Sequence, residues 1–376
     1  MKTKIKKAIL KITPDFVYEK YRNAKTNKHV TIYNKNSKFV KYSNNRKKVS
    51  VIVPNYNYEH YIEERIDSIL FQTYPIYELI ILDDKSTDNS VEKIEQIIKK
   101  HQEIKIKFIK NEKNSGSVFS QWQKAFSLAK GDYVWICEAD DSCNKDFLKN
   151  VMLGFNDKDV VLSYAESMRI DENNRIISPS CRDWMLAVSK TKWNKSYIND
   201  GAEEIKEALA VCNTIPNVSA VVFKKSNQIE VIEQAKRFKI SGDWYVYYQL
   251  LSKGKIAYCH KSLNYFRKHS KSTSTVASRE LEITELLTIQ SDIRKNYELN
   301  SEQIHKQSFR YGAIINETSD SFRNEVSSMI AKKIAWIIPW PIKGSGGIRT
   351  MIQNANFLVR KGFECDIYVE EDYANT

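Results

Sequence analysis

Three acids stand within four positions of the stretch "VWICEADDSC": Glu138, Asp140 and Asp141 close an apolar run that reads as a buried strand. Carboxylates packed this closely repel one another, so without a counter-charge at least one resists ionisation. A hard divalent cation supplies that charge, because Mg²⁺ or Mn²⁺ takes one or two carboxylates and completes its shell with substrate phosphate oxygens. Polar groups also end the other apolar runs. "VSVIVP" leads into Pro54 to Asn57, "YELIILDD" ends on Asp83 and Asp84, and Asn114 to Gly116 follow "IKIKFIK". Each cluster alone is ordinary turn chemistry. Four of them at strand ends make a candidate site.

The elements that must position these groups alternate from about residue 49. After the first run, Ile62, Ile66, Ile69 and Leu70 share one helical face; after the second, "STDNS" offers capping side chains to a helix carrying Val91, Ile94, Ile97 and Ile98. "SVFSQWQKAFSLA" reads as a helix and "GDYVWICE" as the fourth strand. Strict alternation of strand and helix implies a parallel, doubly wound sheet, in which ligands bind beyond the carboxyl ends of the strands. The chain lacks both the Gly-x-Gly-x-x-Gly turn and a Walker-type Gly-Lys-Ser/Thr loop. A diphosphate bound here must therefore be neutralised in another way, and the acids with a cation provide one.

Taken in order, "VSVIVPNYNYEHYIEERIDSILFQTY", "LIILDDKSTDNS", "KNSGS", "KGDYVWICEADD" and "SGDWYVYYQLLSKGKIAYCHKSLNYFRKHSKSTS" resemble an inverting glycosyltransferase of family 2, over about residues 49–275. The resemblance implies a GT-A fold: a doubly wound, mixed, mostly parallel sheet with helices on both faces. It also implies site residues. Pro54 and Tyr56 would line the base and ribose pocket, Asp84 would bond the donor's pyrimidine and Asp83 would support that turn. Asn114 and Gly116 would belong to the nucleotide-sugar site. Asp141 would ligate Mn²⁺ or Mg²⁺ with help from His269, while Asp140 would contact ribose or sugar and Arg267 the phosphates. Asp243 matches the family's general base, which takes the proton of the acceptor hydroxyl as it attacks the anomeric carbon. Trp244 beside it is expected as a sugar-stacking wall, with a core anchor as the alternative.

Two departures from the family pattern stand out. Ser120, Gln121 and Trp122 replace a common Ala-Arg-Asn run, leaving that arginine's role without a holder, and Lys85 stands where glycine is common. The lysine implies a turn that does not require positive φ. Segment 151–240 is expected to return strands to the sheet and build the acceptor side.

Across the 376 residues, 42% are hydrophobic and 28% charged, an ordinary globular balance. The formal charge of +13 is concentrated, since residues 1–50 hold 15 Lys and Arg against Asp15 and Glu19. The folded remainder is neutral, which argues against a nucleic-acid binder. Residues 1–48 read as a basic arm, with Ile5, Ile9 and Ile12 at helical spacing among lysines. Such an arm suits peripheral contact with an anionic membrane surface, the alternative being a solvated tail. No apolar run approaches the roughly 18 residues of a membrane span. The scattered cysteines suggest neither a zinc site nor a disulfide framework, so a cytoplasmic setting is expected, at the inner face of the membrane.

Beyond a polar loop after His269, residues 276–330 read as a helical linker. From 331 to 376 a strand, the turn "IKGSGGIRT", a helix and the strand "CDIYVEE" resemble the opening of a family 4, GT-B glycosyltransferase, an incomplete Rossmann-like βαβ fragment. One such unit cannot cover both faces of a sheet, so it is expected to open a longer second module. The expected function is transfer of a sugar from a UDP- or dTDP-sugar to a hydroxyl of a growing bacterial surface glycan or lipid-linked glycan. The alternative is a catalytically silent module that binds nucleotide or glycan and positions a partner transferase.

Overall fold

The computed structural model describes residues 46–225, 229–270 and 278–307, the strands 333–338 and 364–369, and a few single positions. The expected N-terminal arm, the polar loop after His269, most of the linker beyond residue 307 and the glycine-rich turn with its helix lie outside the described residues. The chain divides into two compact units, Met1–Ile314 and Ile315–Thr376. In the second, strands Lys333–Ile338 and Glu364–Val369 pair in parallel.

The first unit runs β1 (Val49–Asn55), α1 (Ile62–Leu70), β2 (Glu78–Asp83), α2 (Ser90–Lys100), β3 (Ile106–Lys110), α3 (Val118–Leu128), β4 (Tyr133–Ile136), β5 (Ser142–Cys143) and α4 (Phe147–Met152). It continues through β6 (Val160–Ile170), β7 (Ile176–Ser178), β8 (Tyr197–Asn199), α5 (Gly201–Glu204), β9 (Val221–Lys224), α6 (Ile229–Ala235), α7 (Gly242–Leu251), β10 (Lys255–Arg267) and α8 (Arg279–Asn296). The sheet order is β3-β2-β1-β4-β9-β6-β10-β5, with β7 on β6 and β8 on β10.

The first four strands are parallel, as strand and helix alternation demands, whereas β9 enters antiparallel between β4 and β6. Segment 151–240 thus returns strands to the sheet, making it mixed. Both faces are covered. Val49, Val51 and Val53 pack with α1 on one side, while Ile52, Ile80 and Leu82 pack with α3 and α7 on the other. A continuous apolar strand is what such two-sided burial requires.

Register decides what reaches the functional edge. Asn55 pairs with Asp83, Asp83 with Lys110 and Ile52 with Ile136, so Pro54, Asp84, Asn111 and Glu138 emerge at nearly one level. On the other half of the sheet β10 pairs with β5 through Tyr265 and Ser142, which carries the end of β10 to the acidic motif.

Candidate active site

A cavity of about 720 Å³ opens at these strand ends. Pro54, Tyr56, Asp84, Asn114, Gly116 and His269, all expected in the site, line it. Asp83, Asp140, Asp141, Arg267, Asp243 and Trp244 are not among its lining residues. Glu138 of the acidic motif and Gln121 line it as well, as do Tyr58 and Tyr61, to which no site role was assigned from the sequence. The two tyrosines follow β1 at a spacing of three residues, a signal that aromatic side chains return to one face.

The loops after β1 and β2 are stitched together. Asp83 accepts from the Ser86 amide at 2.9 Å and from Asn55 Nδ2 at 3.2 Å, the turn-supporting contact its position suggested. Ser86 Oγ in turn accepts from the Asn57 amide at 2.9 Å. Lys85 corrects one expectation: its φ is +68°, so the turn does take the left-handed conformation, with a side chain where glycine would be free of strain.

Asp84 is the hub of a third loop. Its Oδ1 accepts from Asn111 Nδ2 at 2.7 Å and Gln121 Nε2 at 2.8 Å, and both oxygens accept from the Ser115 amide at 3.0 Å. Ser115 Oγ adds a bond to Oδ2 at 2.8 Å. Gln121, at the position of the missing family arginine, thus serves Asp84 with a neutral amide. Asn114 Oδ1 accepts from the Gly116 amide at 2.7 Å, closing a turn in which Gly116 takes φ +67°.

In the acidic motif the three carboxylates have different surroundings. Asp141 is buried with both oxygens occupied: Oδ1 accepts from the Arg267 amide at 2.9 Å, and Oδ2 from Asn217 Nδ2 at 2.8 Å and Ser219 Oγ at 2.6 Å. These bonds oppose burial and the neighbouring Asp140, which together push it up to about 6. Asp140, not Asp141, meets the histidine, with Oδ2 lying 2.9 Å from His269 Nε2. The Tyr61 and Tyr58 rings flank that imidazole, at 5.4 and 6.1 Å between centroids. Glu138 is pushed up to about 8 by burial, then by Asp140 and Asp141, so one acid of the three does resist ionisation.

Two expected ligand contacts give way to structural ones. Arg267 is buried, and its guanidinium donates to the carbonyls of Asp140 (2.7 Å) and Asp171 (3.0 Å), to Asn174 Oδ1 (2.8 Å) and to Glu64. All of its donor groups face protein, so it braces Asp140 and does not face a phosphate. Trp244 is likewise a core residue, with Nε1 donating to the Leu209 carbonyl at 3.1 Å. Its indole is too large to remain at a surface that α7 packs away.

Asp243 sits in the first turn of α7 on a partly open edge, yet packed chain around its carboxyl pushes it up to about 7. Opposing this, Oδ1 accepts from the Trp244 amide at 2.7 Å and Oδ2 from Asn213 Nδ2 at 3.3 Å. The preceding Gly242 lies against Phe119 of α3, two residues before Gln121 of the cavity wall; a Cβ there would stand 2.5 Å from the ring. Among the described residues no group of three or more His, Cys, Asp or Glu forms a ready metal cage, and no helix is long and apolar enough to cross a membrane.

Residues 50–204 match the family model described as Glycosyl transferase family 2. Among curated relatives, the protein named putative teichuronic acid biosynthesis glycosyltransferase TuaG of Bacillus subtilis is 40% identical over 101 residues, 27% of this chain and 39% of the relative. An uncharacterized glycosyltransferase of Nostoc sp. is 28% identical over 228 residues, 59% of this chain and 65% of the relative. The chain thus spans less than two thirds of either relative. Among solved structures, Staphylococcus aureus TarS 1-349 in complex with UDP-GlcNAc aligns with a TM-score of 0.52 at 20% identity, covering 75% of this chain and 76% of that one. The mannosyltransferase PcManGT from Pyrobaculum calidifontis, in complex with GDP-Man and Mn²⁺, aligns with a TM-score of 0.50 at 15% identity, covering 93% of both chains. These likenesses are of fold, the GT-A arrangement of a mixed, mostly parallel sheet with helices.

Proposed function

We propose, with residues 50–204 carrying a family 2 glycosyltransferase domain, that this chain is a metal-dependent inverting glycosyltransferase. It would move a sugar from a UDP- or dTDP-sugar to a hydroxyl of a bacterial surface glycan, free or lipid-linked. The observation that carries the proposal is the Asp140–His269 pair, 2.9 Å apart, whose histidine lines a cavity framed by four strand ends. The relatives named for teichuronic acid and poly(ribitol-phosphate) glycosylation support an anionic wall or surface polymer as acceptor.

The pair fits a hard cation. One carboxylate oxygen and one imidazole nitrogen converge, and their small number leaves positions for diphosphate oxygens, the pattern by which Mg²⁺ or Mn²⁺ usually binds. A cation held there would stabilise the charge that grows on the departing diphosphate. The metal-binding role expected of Asp141 therefore passes to Asp140, because Asp141 already accepts three protein hydrogen bonds. Tyr58 and Tyr61 hold the imidazole ring, and Arg267 holds the Asp140 carbonyl. Asp84 fixes the loop 111–116 against which the nucleoside would lie, and Pro54 and Tyr56 line the same cavity. Asp243, which lies outside the cavity lining in the first turn of α7, would take the proton of the acceptor hydroxyl.

The remaining assignments rest on sequence. Residues 1–48 are proposed as a basic arm touching the cytoplasmic face of the membrane, 276–330 as a linker, and 331–376 as the opening of a second, family 4 module. Calorimetric titration with UDP, dTDP, GDP and CDP, each with Mn²⁺ or with chelator, tests the central reading. UDP or dTDP binding that vanishes with chelator is the expected result. Binding of none of the four would favour the silent module that positions a partner transferase.

A further inference from the structure

Part of the cavity wall comes from a turn that the proposed mechanism does not use. The turn joining β6 to β7 carries Glu172, which lines the cavity together with Tyr61, His269 and Ser270. Asp171 closes the turn: its Oδ1 accepts from the Asn173 amide at 2.9 Å and the Arg175 amide at 2.8 Å, and its own amide donates to the Arg175 carbonyl at 2.9 Å. Asn174 takes φ +64°, a left-handed position that asparagine tolerates. Its Nδ2 donates to Glu64 of α1 and its Oδ1 accepts from Arg267 at the end of β10, each at 2.8 Å. Arg267 also donates to the Asp171 carbonyl at 3.0 Å, and its guanidinium stands 4.8 Å from the centre of the Tyr61 ring in the cavity wall. The turn is therefore fixed against the cavity from both flanks. Glu172 is its free member: the residue is exposed, and its carboxylate has no hydrogen-bond or ion-pair partner among the described residues.

Strand order gives that carboxylate its place in the cavity. Along the sheet edge the loops after β3, β2 and β1 come first, with Asn114, Asp84, Pro54 and Tyr56; β4 and the acidic motif follow, and β6 and β10 bring Glu172 and His269 at the other end. A donor with its nucleoside on the loop 111–116 and its diphosphate at the Asp140–His269 pair spans these groups. Its part beyond the nucleoside reaches the end that holds Glu172. Among the described residues no lysine or arginine lines the cavity, whereas Asp84, Glu138 and Glu172 do, and of these three only Glu172 is exposed. A cation held by the pair is already engaged with the diphosphate. A sugar that carries a second anion therefore meets a carboxylate with nothing to offset the repulsion, while a sugar that presents hydroxyl or amide N–H groups meets a hydrogen-bond acceptor.

We propose that Glu172 is a specificity-determining residue of the donor cavity, one that admits nucleoside diphosphates of uncharged sugars, hexoses or N-acetylhexosamines, and excludes nucleoside diphosphate uronates by charge. The inference rests on the donor-binding reading above and adds to it the class of sugar. It also accounts for Arg267, since the arginine that faces no phosphate holds the turn that carries Glu172.

The test is calorimetric titration of the full chain with Mn²⁺ at fixed ionic strength, using UDP as reference and two donor pairs. UDP-glucose with UDP-glucuronic acid, and UDP-galactose with UDP-galacturonic acid, differ within each pair by a hydroxymethyl or a carboxylate on the sugar. Wild type is expected to bind the uronate about 10-fold or more weakly than its neutral partner, and Glu172→Gln, which keeps the size and removes the charge, should bring the two within about 3-fold. Glu172→Asp retains the charge and should retain the discrimination. Equal or tighter binding of the uronates by wild type would overturn the proposal, as would an unchanged ratio in Glu172→Gln. Equal loss of discrimination in the Asp and Gln variants would also overturn it, because the shape of the turn and not its charge would then be the cause. The underlying reading fails differently. If UDP itself does not bind, the donor site falls and the specificity with it. UDP binding that persists in chelator removes the metal alone, and the ratios still decide the role of Glu172.

Discussion

As the proposed base, Asp243 would have to be ionised to accept a proton, and burial holds it up at about 7. The kcat/KM of transfer is therefore expected to fall as pH drops below about 7 and to level off above it, with Asp243→Asn binding donor normally and losing at least ~10²-fold in rate. The same shift has a stability sign. Its folded value lies above the ordinary 3.8, so the group favours folding while protonated, and that contribution is lost as pH rises from about 4 through about 7. Thermal melts from pH 4 to 8 should show this loss in wild type and a flatter profile in Asp243→Asn. For the acids of the motif the two neighbours separate. Asp140→Ala should leave Tm nearly unchanged and abolish chelator-sensitive UDP binding in calorimetry. Asp141→Ala should cost about 2–4 kcal/mol in chemical denaturation, because the Arg267 amide, Asn217 and Ser219 lose a buried acceptor.

Turns and helices carry the next set of outcomes. Lys85 sits at φ +68°, so Lys85→Val should lose about 1–2 kcal/mol while Lys85→Gly stays within about 1 kcal/mol of wild type, measured by urea unfolding. Gly242 opens α7 against Phe119, and Gly242→Ala should cost about 1–3 kcal/mol by forcing the ring away. Because that ring neighbours the cavity wall, a transfer assay on this variant should show a raised KM. These expectations share a cause: the site is assembled from element ends, so a small change in how two elements meet moves a catalytic group.

The unit Met1–Ile314 contains every residue of the cavity. A chain ending at Ile314 is therefore expected to bind nucleotide with the affinity of the full chain, as read by the same calorimetry. A large loss would assign part of the donor site to residues beyond 314. The uneven charge belongs to the whole molecule too, since all of the net +13 lies in residues 1–50. Vesicle sedimentation with anionic lipid should therefore depend on residues 1–48 and weaken with salt.

Much of this was legible in the chain itself. Apolar runs closed by Pro54, by Asp83 and Asp84, and by the acids at 138–141 imply parallel strands with a polar edge, since strands buried on both faces must be apolar and their ends must turn. Gly116 and Asn114 announced a tight turn for the same local reasons. What required the tertiary structure was the partner of each polar group. Asp140 and Asp141 are adjacent and chemically identical, yet the backbone sends one toward His269 and the other onto Asn217 and Ser219, contacts 76 to 129 residues away. Arg267 likewise could have faced a phosphate until its four protein acceptors were seen. Local pattern determines which residues reach an edge or a core. Only the long-range pairing of strands decides which charges meet there, and with that their protonation and their work.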